Sequence, residues 1–577
     1  MKLPVLVAMM ILPLLSAGQG TDKQPYPTDY FRNPLDIPIL LAGNFGECRP
    51  GHFHSGLDIK TQGKENLPVH AAAGGYISRI KTDKGGFGHA IYITHPNGYT
   101  TLYAHLNDYA PLLQKHLRKV QYERKRWDLD LSFTADQFPV RKGQQIAWSG
   151  NTGSSSAPHL HFEIRDSKTE HPLNPQLFGL QVTDNMPPVA TEVVFYTGNI
   201  YERNLVSYTL GKKGNLYKAV KPGRTGYSIT GDTIEVPEGL AGIGIIADDY
   251  MNGSDNTITF YTAELLIDDS LQTTVTLNDI GYDISRYIHA YTDYYARQVY
   301  KKWIQCLFKL PGNKLHSIFT TLNEQNGRVA FGEGQVRKVV VVLTDNSGNK
   351  SEIRFYARAK ATDRSSPPQE NCVPYTAGKA NEYNDPNIKF ALDERQLYDD
   401  ICFSIAATPG GGGAISERFR LHYPFIPLHH YFDLQVKPNK TIPIDMRSKV
   451  VLMYTDGKDE DGRAAAPVDQ GWYKASVRNF GTYWLAIDTV APVIHAMHKS
   501  GANLAKAKQI ALTAKDETTS VSTYTGTIDG KWVCFEQHGS SYFYEFDEHC
   551  TKGKHELVFK AADENGNEVV HKSTFTR

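Results

Sequence analysis

The stretch Gly51-His-Phe-His-Ser-Gly-Leu-Asp-Ile59 contains a histidine and an aspartate four residues apart, His54 and Asp58. A second stretch, His159-Leu-His161, contains two histidines two residues apart. Positions four apart share a face in a helix and in a strand, but positions two apart share a face only in extended backbone. The glycine inside the first stretch would also weaken a helix. We therefore predict two strands that turn polar side chains towards a cleft and apolar neighbours towards a core.

Together the two stretches supply nitrogen and oxygen ligands for a metal ion, with a base nearby. Three such ligands leave the fourth tetrahedral position of Zn²⁺ free for water, which distinguishes a catalytic zinc site from a closed structural one. A single His-x-His pair is most often structural, so the prediction depends on the two stretches occurring together. The pattern indicates a zinc hydrolase.

Around these stretches the sequence resembles peptidase family M23, the lysostaphin-like or LytM-type zinc metallopeptidases. The resemblance runs from about Phe45 to Asp166 and includes Thr101-Leu-Tyr-Ala-His-Leu106 and Ser149-Gly-Asn-Thr-Gly-Ser-Ser-Ser-Ala-Pro-His-Leu-His-Phe-Glu-Ile164. It implies a small antiparallel sheet with a groove above it. It also implies a metalloendopeptidase that hydrolyses stem peptides or cross-links of bacterial peptidoglycan, although the bond that is cleaved stays open.

The same resemblance implies a role for each polar residue of the site. The implied Zn²⁺ ligands are His54, Asp58 and His161, and the unligated histidines that hold or activate the water are His105 and His159. A neutral imidazole would take a proton from the water, and an imidazolium would give one to the leaving amine. The sequence does not say which histidine does which.

Two other functions compete with the enzyme. One is a non-enzymatic adaptor that keeps the peptidase shape and activates other cell-wall hydrolases. The other is an exported binding protein whose β modules carry the function while the peptidase is vestigial. Relatives that have become adaptors usually lose zinc ligands, so the presence of all five site residues favours the enzyme.

Three neighbouring polar residues have less specific roles. His52 would share a strand face with His54, but nothing in the resemblance uses it as a ligand, and we expect it to be structural or to line the cleft. Glu163 and Asp166 could orient a ligand imidazole by accepting a hydrogen bond from the ring nitrogen that does not bind the metal. Carboxylates that follow a strand motif are usually solvated, and we expect both to be so.

The N-terminus predicts export. Lys2 precedes an apolar run from Leu3 to Leu15, and Ser16-Ala-Gly18 offers small residues for signal peptidase, so residues 1–18 read as a signal peptide. No cysteine follows directly, which disfavours a lipid anchor, and no later run approaches the length of a membrane span. We expect the mature protein in the periplasm, at the cell envelope or outside the cell.

Composition gives no support for two classes of partner. The 577 residues include 62 basic and 62 acidic side chains, a formal net charge of zero, which gives no support for nucleic-acid binding or electrostatic membrane attachment. Abundant tyrosine and glycine with short alternating runs favour β structure throughout. We predict a mostly β fold, with an antiparallel-sheet M23 domain followed by several immunoglobulin-like β-sandwich modules.

We predict four modules after the signal peptide. The predicted ranges are 34–182 for the M23 domain, 188–360 for an immunoglobulin-like region, 361–488 for a β-rich region of unknown family, and 489–577 for a C-terminal immunoglobulin-like module. Three similar turns, at Asp248, Asp345 and Asp563, each follow an apolar strand-like run. The modules could bind an envelope protein partner or act as passive spacers.

Residues from about 110 to 138 look like an insertion in the M23 domain. Leu113, Leu117 and Val120 have helical spacing, so we expect a helix that leans on the catalytic sheet. It could wall or gate the groove, although a solvated outer face is the simpler expectation. Export also permits disulfides, and the plausible couples are Cys534 with Cys550 and Cys372 with Cys402.

Overall fold

The computed structural model describes residues 26–577 apart from 214–215, 224–225, 230–232 and 362–371. The predicted signal peptide therefore lies outside the described residues. Strands dominate, as predicted, and they form four successive units, each with a hydrophobic core. Within the described residues, no helix combines the length and the apolar character needed to cross a membrane.

The N-terminal unit contains one helix, α1 (Pro111–Arg124), and a set of mostly antiparallel strands. These strands are β1 Leu41–Gly43, β2 Cys48–Arg49, β3 His52–Phe53, β4 Leu57–Lys60, β5 Pro68–His70, β6 Gly75–Thr82, β7 His89–Thr94, β8 Tyr99–Tyr109, β9 Leu129–Ser132, β10 Pro139–Val140, β11 Gln145–Ser149, β12 His159–Asp166 and β13 Pro172–Leu173. The main sheet has the order β1-β4-β12-β8-β7-β6-β10. Strands β4, β12 and β8 are central, so residues far apart in sequence meet on one face.

The second unit follows a short 3-10 helix, Pro175–Phe178. Its strands are β14 Val189–Thr197, β15 Leu205–Lys213, β16 Leu216–Gly223, β17 Gly226–Ile229, β18 Thr233–Pro237, β19 Gly239–Met251, β20 Ser254–Ile258, β21 Thr262–Ile267, β22 Ser270–Thr276, β23 Gln305–Cys306, β24 Phe319–Leu322, β25 Val329–Phe331, β26 Val336–Thr344 and β27 Lys350–Lys360. Two helices, α2 (Ile288–Tyr291) and α3 (Tyr294–Tyr300), interrupt it, and 3-10 turns lie at Ile200–Glu202 and Ser285–Tyr287. Pairing is antiparallel except where β16 and β18 run parallel to β27.

The third unit has two five-stranded sheets and a two-stranded one, and the C-terminal unit has one four-stranded and one five-stranded sheet. The third contains β28 Val373–Tyr375, β29 Asn381–Asn384, β30 Ile388–Leu392, β31 Ile401–Phe403, β32 Ile405–Thr408, β33 Arg418–Leu421, β34 Pro427–Val436, β35 Val450–Thr455, β36 Glu460–Ala464, β37 Ala466–Val468, β38 Trp472–Asn479 and β39 Gly481–Ile487, with 3-10 turns at Ile444–Lys449 and Asp469–Gly471. The C-terminal unit contains β40 Val493–Ala496, β41 Ala502–Asn503, β42 Gln509–Lys515, β43 Val521–Ile528, β44 Lys531–Trp532, β45 Glu536–His538, β46 Ser541–Glu545, β47 Lys554–Asp563 and β48 Glu568–Thr576.

The cysteines form one bridge among the described residues. Cys372 and Cys402 are joined, with their Cα atoms 5.3 Å apart. The other plausible couple is not formed, because Cys534 and Cys550 are both free thiols buried in the C-terminal unit.

The first two units interlock at the edge of the N-terminal sheet. Phe45 and Phe53 are buried in the core of the second unit, while Met251 and Ile258 are buried in the core of the N-terminal unit. This exchange fixes the short segment from 44 to 54 between two cores. His54 lies at the end of that segment.

The C-terminal unit returns to the N-terminal unit and covers part of α1. The helix buries Leu113 and Leu117 against the N-terminal core, as predicted from their spacing. On its other side, the ring of Tyr122 stacks on His549, and its hydroxyl donates to the carboxylate of Asp547. The expected solvated outer face is therefore partly covered.

Candidate metal centre

The pairing of β4 with β12 brings the two sequence motifs together. Asp58 lies directly opposite His161 in this antiparallel pair, although the two residues are 103 apart in sequence. Four apolar neighbours turn to the other face and have no exposed surface, as the alternation predicted: Leu57, Ile59, Leu160 and Phe162. The register therefore places two polar side chains side by side above a packed core.

The prediction that His54 lies on a strand is wrong. β3 ends at Phe53 and β4 begins at Leu57, so His54 lies in the connection between them. The reason is a close approach of two backbones at Gly56, where a Cβ atom would lie 2.3 Å from the carbonyl oxygen of Phe162. The chain bends there, and the bend turns His54 over the sheet towards Asp58 and His161.

Three ligand atoms converge at this point. His54 Nε2 lies 3.0 Å from Asp58 Oδ1 and 3.1 Å from His161 Nδ1, and His161 Nδ1 lies 2.9 Å from Asp58 Oδ1. The three residues are buried, with exposed fractions of 6%, 8% and 4%. They are also a group of three whose ligand atoms are close enough to hold one metal ion.

Hydrogen bonds behind the site orient both imidazoles. His54 Nδ1 lies 2.7 Å from the carbonyl oxygen of Asn44, and His161 Nε2 lies 2.8 Å from Glu163 Oε1. Carbonyl and carboxylate oxygens only accept, so these nitrogens carry the hydrogens and donate them. The other nitrogen of each ring faces Asp58 and is free to coordinate a metal ion once it carries no proton. Two imidazoles and one carboxylate with this second-layer support fit the ligand preference of zinc.

The charges around the site also favour a cation. Burial raises the pKa of Asp58, but the surrounding imidazoles, His54 foremost, outweigh burial and hold that pKa well below its ordinary value. Burial lowers the pKa of His161, yet hydrogen bonds to Asp58 and Glu163 raise it to about 9. Asp58 Oδ2 also lies 3.2 Å from the Arg49 guanidinium. Asp58 and Glu163 therefore favour a positive charge on His161, which a bound metal ion would replace, and Arg49 partly offsets the charge of Asp58.

His105 lies beside this cluster in an unusual backbone conformation. Its φ is +59°, and its N–H donates to the carbonyl oxygen of Phe87 at 2.9 Å. Its ring Nδ1 lies 2.8 Å from the carbonyl oxygen of Thr152, so Nδ1 donates and Nε2 is left with a lone pair. Burial, followed by the nearby His161 and His159, lowers the pKa of His105 to about 3. The imidazole is thus held neutral in one orientation.

His159 faces His105 across the cleft. Their ring centroids are 4.8 Å apart. Nδ1 of His159 lies 2.8 Å from the carbonyl oxygen of Ala157 and 3.1 Å from Ser155 Oγ, while Nε2 lies 3.3 Å from Asp58 Oδ1. The structure therefore brings together all five residues predicted from the sequence. His52, which was not predicted to be a ligand, is exposed and contacts the carbonyl oxygen of Pro50.

The expectation that Glu163 is solvated is wrong. Glu163 has no exposed surface and accepts hydrogen bonds at Oε1 from Ser55, His161 and Tyr282, and at Oε2 from Arg165. Burial raises its pKa, but the charge of Arg165 and the contacts of His161 outweigh burial, so the pKa is well below the ordinary value. A buried carboxylate that is paired on both oxygens can hold His161 in one tautomer.

Asp166 does not orient a ligand. Its Oδ1 accepts the backbone N–H groups of Lys168 and Thr169, both at 2.9 Å, and so stabilises the turn after β12. Period-two alternation along β12 could have separated the two acids, because Glu163 shares a face with His159 and His161 whereas Asp166 does not.

Two second-layer residues gave no usable signal in the sequence. Asn44 orients His54, and Tyr282 of the second unit binds Glu163. Tyr282 is 119 residues from Glu163, and only the packing of the second unit places it there.

The structure defines a mostly β protein with a three-ligand centre, suited to a metal ion, on one face of an antiparallel sheet. The sequence profile of peptidase family M23 matches residues 52–121 and 131–175, which include all five site residues. The chain belongs to this family. A second profile, that of Zu5-like domains, matches residues 374–488 in the third unit.

Two curated relatives and one solved structure are each similar to part of the chain. The DD-carboxypeptidase/endopeptidase Mpg of Neisseria meningitidis is 36% identical over 123 residues, which are 21% of this chain and 22% of that protein. Lipoprotein NlpD of Yersinia enterocolitica is 31% identical over 112 residues, 19% of this chain and 91% of that protein. The catalytic domain of lysostaphin from Staphylococcus simulans is 25% identical, with a TM-score of 0.18, over 23% of this chain and 87% of that structure.

Proposed function

We propose that this protein is an exported zinc metalloendopeptidase that hydrolyses peptide bonds in peptidoglycan stem peptides or cross-links. The convergence of His54 Nε2, Asp58 Oδ1 and His161 Nδ1 within 3.1 Å of one another carries the proposal. Membership of the M23 family and the name of the Mpg relative support it. Location at the cell envelope follows from the same substrate and from the signal-like residues 1–18.

The proposed ligands are His54, Asp58 and His161. Zinc bound there would polarise a carbonyl group and lower the pKa of a coordinated water from about 15.7 to about 7. Asn44 and Glu163 fix the two imidazoles, so that little reorganisation is needed when the ion binds. Arg49 neutralises part of the charge on Asp58.

His105 and His159 are the proposed catalytic residues. Both donate Nδ1–H to a backbone carbonyl, so each presents Nε2 to the cleft. One imidazole accepts the proton of the attacking water, and the other imidazole, once protonated, donates to the leaving amine. Their ring centroids are 4.8 Å apart, which supports the proposal that both act on one scissile bond.

An adaptor function is the second candidate. One observation favours it: this chain covers 91% of a relative that is called lipoprotein NlpD, and longer proteins of that name are called murein hydrolase activators. In such an adaptor the groove would bind a cell-wall hydrolase instead of cleaving peptide. The five retained site residues favour the enzyme.

The units beyond the N-terminal one are proposed to position the enzyme on the envelope or to bind an envelope protein partner. We also retain as a proposal the division into 34–182, with an insertion at about 110–138, and 188–360, 361–488 and 489–577. The four hydrophobic cores support this division.

Digestion of cross-linked peptidoglycan by the zinc-loaded chain tests the proposal. Wild type should release peptide fragments that mass spectrometry identifies, and His159→Ala should bind zinc but release none. His52→Ala is the matched control, because it removes an exposed histidine two residues from a ligand and should leave cleavage intact. If zinc-loaded wild type releases no fragment but accelerates an added cell-wall amidase, the adaptor function replaces the enzyme.

A further inference from the structure

Two of the Asp-containing turns noted in the sequence have the same hydrogen bonds. In the turn after β26, Asp345 accepts the backbone N–H of Asn349 at Oδ1 and its side-chain amide at Oδ2, at 2.8 and 2.7 Å. In the turn after β47, Asp563 accepts the same two groups of Asn567, also at 2.8 and 2.7 Å. The second and C-terminal units therefore repeat one local structure.

Each turn also holds the segment that enters its unit. The amide of Asn349 donates to the carbonyl oxygen of Asp184, and the amide of Asn567 donates to the carbonyl oxygen of Asp488. Oδ1 of Asp184 accepts the backbone N–H of Met186, and Oδ1 of Asp488 accepts the backbone N–H of Val490. The entry aspartate is thus fixed beside the turn aspartate in both units.

A third aspartate completes each group. Asp249 of β19 joins Asp184 and Asp345 in the second unit, and Asp516, directly after β42, joins Asp488 and Asp563 in the C-terminal unit. In both groups, the ligand atoms of the three carboxylates lie within 4.8 Å of one another. Three carboxylate oxygens this close together can contact one Ca²⁺ ion, which binds oxygen ligands at about 2.3–2.6 Å.

Each group contains a buried carboxylate oxygen without a partner. Asp249 is 1% exposed, and its Oδ1 has no hydrogen-bond donor among the described residues. Asp488 is 3% exposed, and its Oδ2 also has no hydrogen-bond donor among the described residues. A buried, unpaired carboxylate oxygen is costly, and proteins compensate for it with a counter-charge or a proton.

In the first group, the side-chain charges that act on the buried carboxylate of Asp249 are negative and do not neutralise it. The pKa of Asp249 is raised to about 8, chiefly by burial and also by the charges of Asp345 and Asp184, which outweigh a lowering backbone hydrogen bond from Tyr250. At the second group, Lys449 lowers the pKa of Asp488 only as the last contribution, and its ammonium donates to the carbonyl oxygen of Asn565.

We propose that each group, Asp184 with Asp249 and Asp345 and Asp488 with Asp516 and Asp563, binds one Ca²⁺ ion. Three carboxylates and no nitrogen or sulfur ligand form the oxygen-only donor set that hard divalent cations prefer. The remaining positions would be filled by water or backbone carbonyls. Because Asp184 and Asp488 precede their units directly, bound Ca²⁺ would fix each unit to the chain that enters it.

Calcium binding by the zinc-loaded chain tests the proposal directly. Equilibrium dialysis with radioactive CaCl₂ should give two ions per chain, with dissociation constants at or below about 1 mM. Asp249→Asn and Asp516→Asn should each lose one ion, and the double variant should lose both. Asp248→Asn is the matched control, because it changes the neighbouring carboxyl outside the group and should still bind two.

Thermal unfolding of wild type gives a second measurement that needs no variant. CaCl₂ at about 5 mM should raise a transition midpoint by at least about 3 °C, whereas NaCl of equal ionic strength should not. If wild type binds no Ca²⁺ and its midpoint does not move, the carboxyls are compensated by protons and the proposal is wrong. Equal Ca²⁺ binding by wild type and folded Asp249→Asn would also overturn it for the second unit.

Discussion

The hydroxyl of Tyr282 donates a 2.7 Å hydrogen bond to Oε1 of Glu163. Tyr282 belongs to the second unit, and the same Oε1 atom accepts from Nε2 of His161, a proposed zinc ligand. The guanidinium of Arg165 also lies over the Tyr282 ring, 4.8 Å from its centroid. The second unit therefore completes the support of the metal centre, which lies in the N-terminal unit.

Replacement of Tyr282 by phenylalanine should weaken zinc binding. The change removes one donor to Glu163 and leaves the ring over Arg165, so the carboxylate keeps its charge but is held less firmly. Loss of a second-layer contact of this type typically weakens metal binding by about 10- to 100-fold, and we expect the lower end. Competition with a chromophoric chelator measures the affinity.

Tyr300→Phe is the control for this prediction. It removes the same hydroxyl from a tyrosine that is 59% exposed at the end of α3. Equal zinc affinities for the two variants would show that Tyr282 does not support the centre.

Asn44 should couple the second unit to His54. The side-chain amide of Asn44 donates to the backbone oxygen of Thr259 at 2.8 Å and accepts its backbone N–H at 2.9 Å. The backbone carbonyl oxygen of Asn44 accepts a hydrogen bond from His54. Asn44→Ala leaves the buried groups of Thr259 unpaired, which should cost about 1–3 kcal/mol of stability. The same change should loosen the segment that holds His54, so both the unfolding midpoint and the zinc affinity should fall.

Asn278→Ala separates these two effects. Asn278 also bonds across the first two units, to the hydroxyl of Tyr26, but it touches no proposed ligand. Its loss should lower the midpoint and leave zinc affinity unchanged. A variant at Asn44 that loses stability but keeps full zinc affinity would contradict the proposed coupling.

Which residues lie at the centre could be predicted from the sequence, because the pattern around each motif is local, whereas their roles there stay a prediction. Strand alternation around Asp58 and His161 places their apolar neighbours in the core, and the family resemblance supplies His105 across the sheet. The position of His54 was predicted less well, because the close contact of Gly56 with Phe162 depends on which strand lies next to it. Tyr282 and Asn44 depend on packing between units, which leaves no periodic signal.

Conversion of His105 to asparagine should lower kcat strongly without loss of zinc. Asparagine tolerates the left-handed backbone conformation at φ +59° better than most residues, so the fold should persist. Removal of a general acid or base typically lowers the rate by about 10²–10⁴-fold. Zinc stoichiometry and kcat on a peptidoglycan peptide are the two measurements.

His52→Asn is the control for His105→Asn, since His52 is an exposed histidine two residues before the proposed ligand His54. It should keep wild-type kcat. Retention of more than about a tenth of the wild-type rate by His105→Asn would assign the proton transfers elsewhere.

Docking of the C-terminal unit should depend on pH through His89 and Glu536. His89 Nε2 lies 3.2 Å from Glu536 Oε1. Burial lowers the pKa of His89, but the charge and contact of Glu536 outweigh both burial and the opposing Arg118, so the net pKa is raised. Burial raises the pKa of Glu536, but His89, followed by Arg118 and Trp127, outweighs burial and lowers it. Each partner thus stabilises the charged form of the other.

The raised pKa of His89 and the lowered pKa of Glu536 determine how docking changes with pH. The contribution of His89 is fully present below its ordinary pKa of 6.5 and is lost as pH rises through the raised value. The contribution of Glu536 is present above its ordinary pKa of 4.5 and is lost as pH falls through the lowered value. Docking should therefore be strongest between about pH 4.5 and 6.5 and should weaken on both sides.

Hydrogen exchange of β7 and β45 across this pH range measures the docking, after correction for the intrinsic exchange rate. Protection should pass through a maximum in wild type and should lose most of its pH dependence in Glu536→Gln, which keeps the shape but not the charge. Glu545→Gln is the matched control, because it neutralises a glutamate of the same unit that does not pair with His89. A flat wild-type profile would show that the surrounding contacts of Tyr122 and His538 hold the unit without this ion pair.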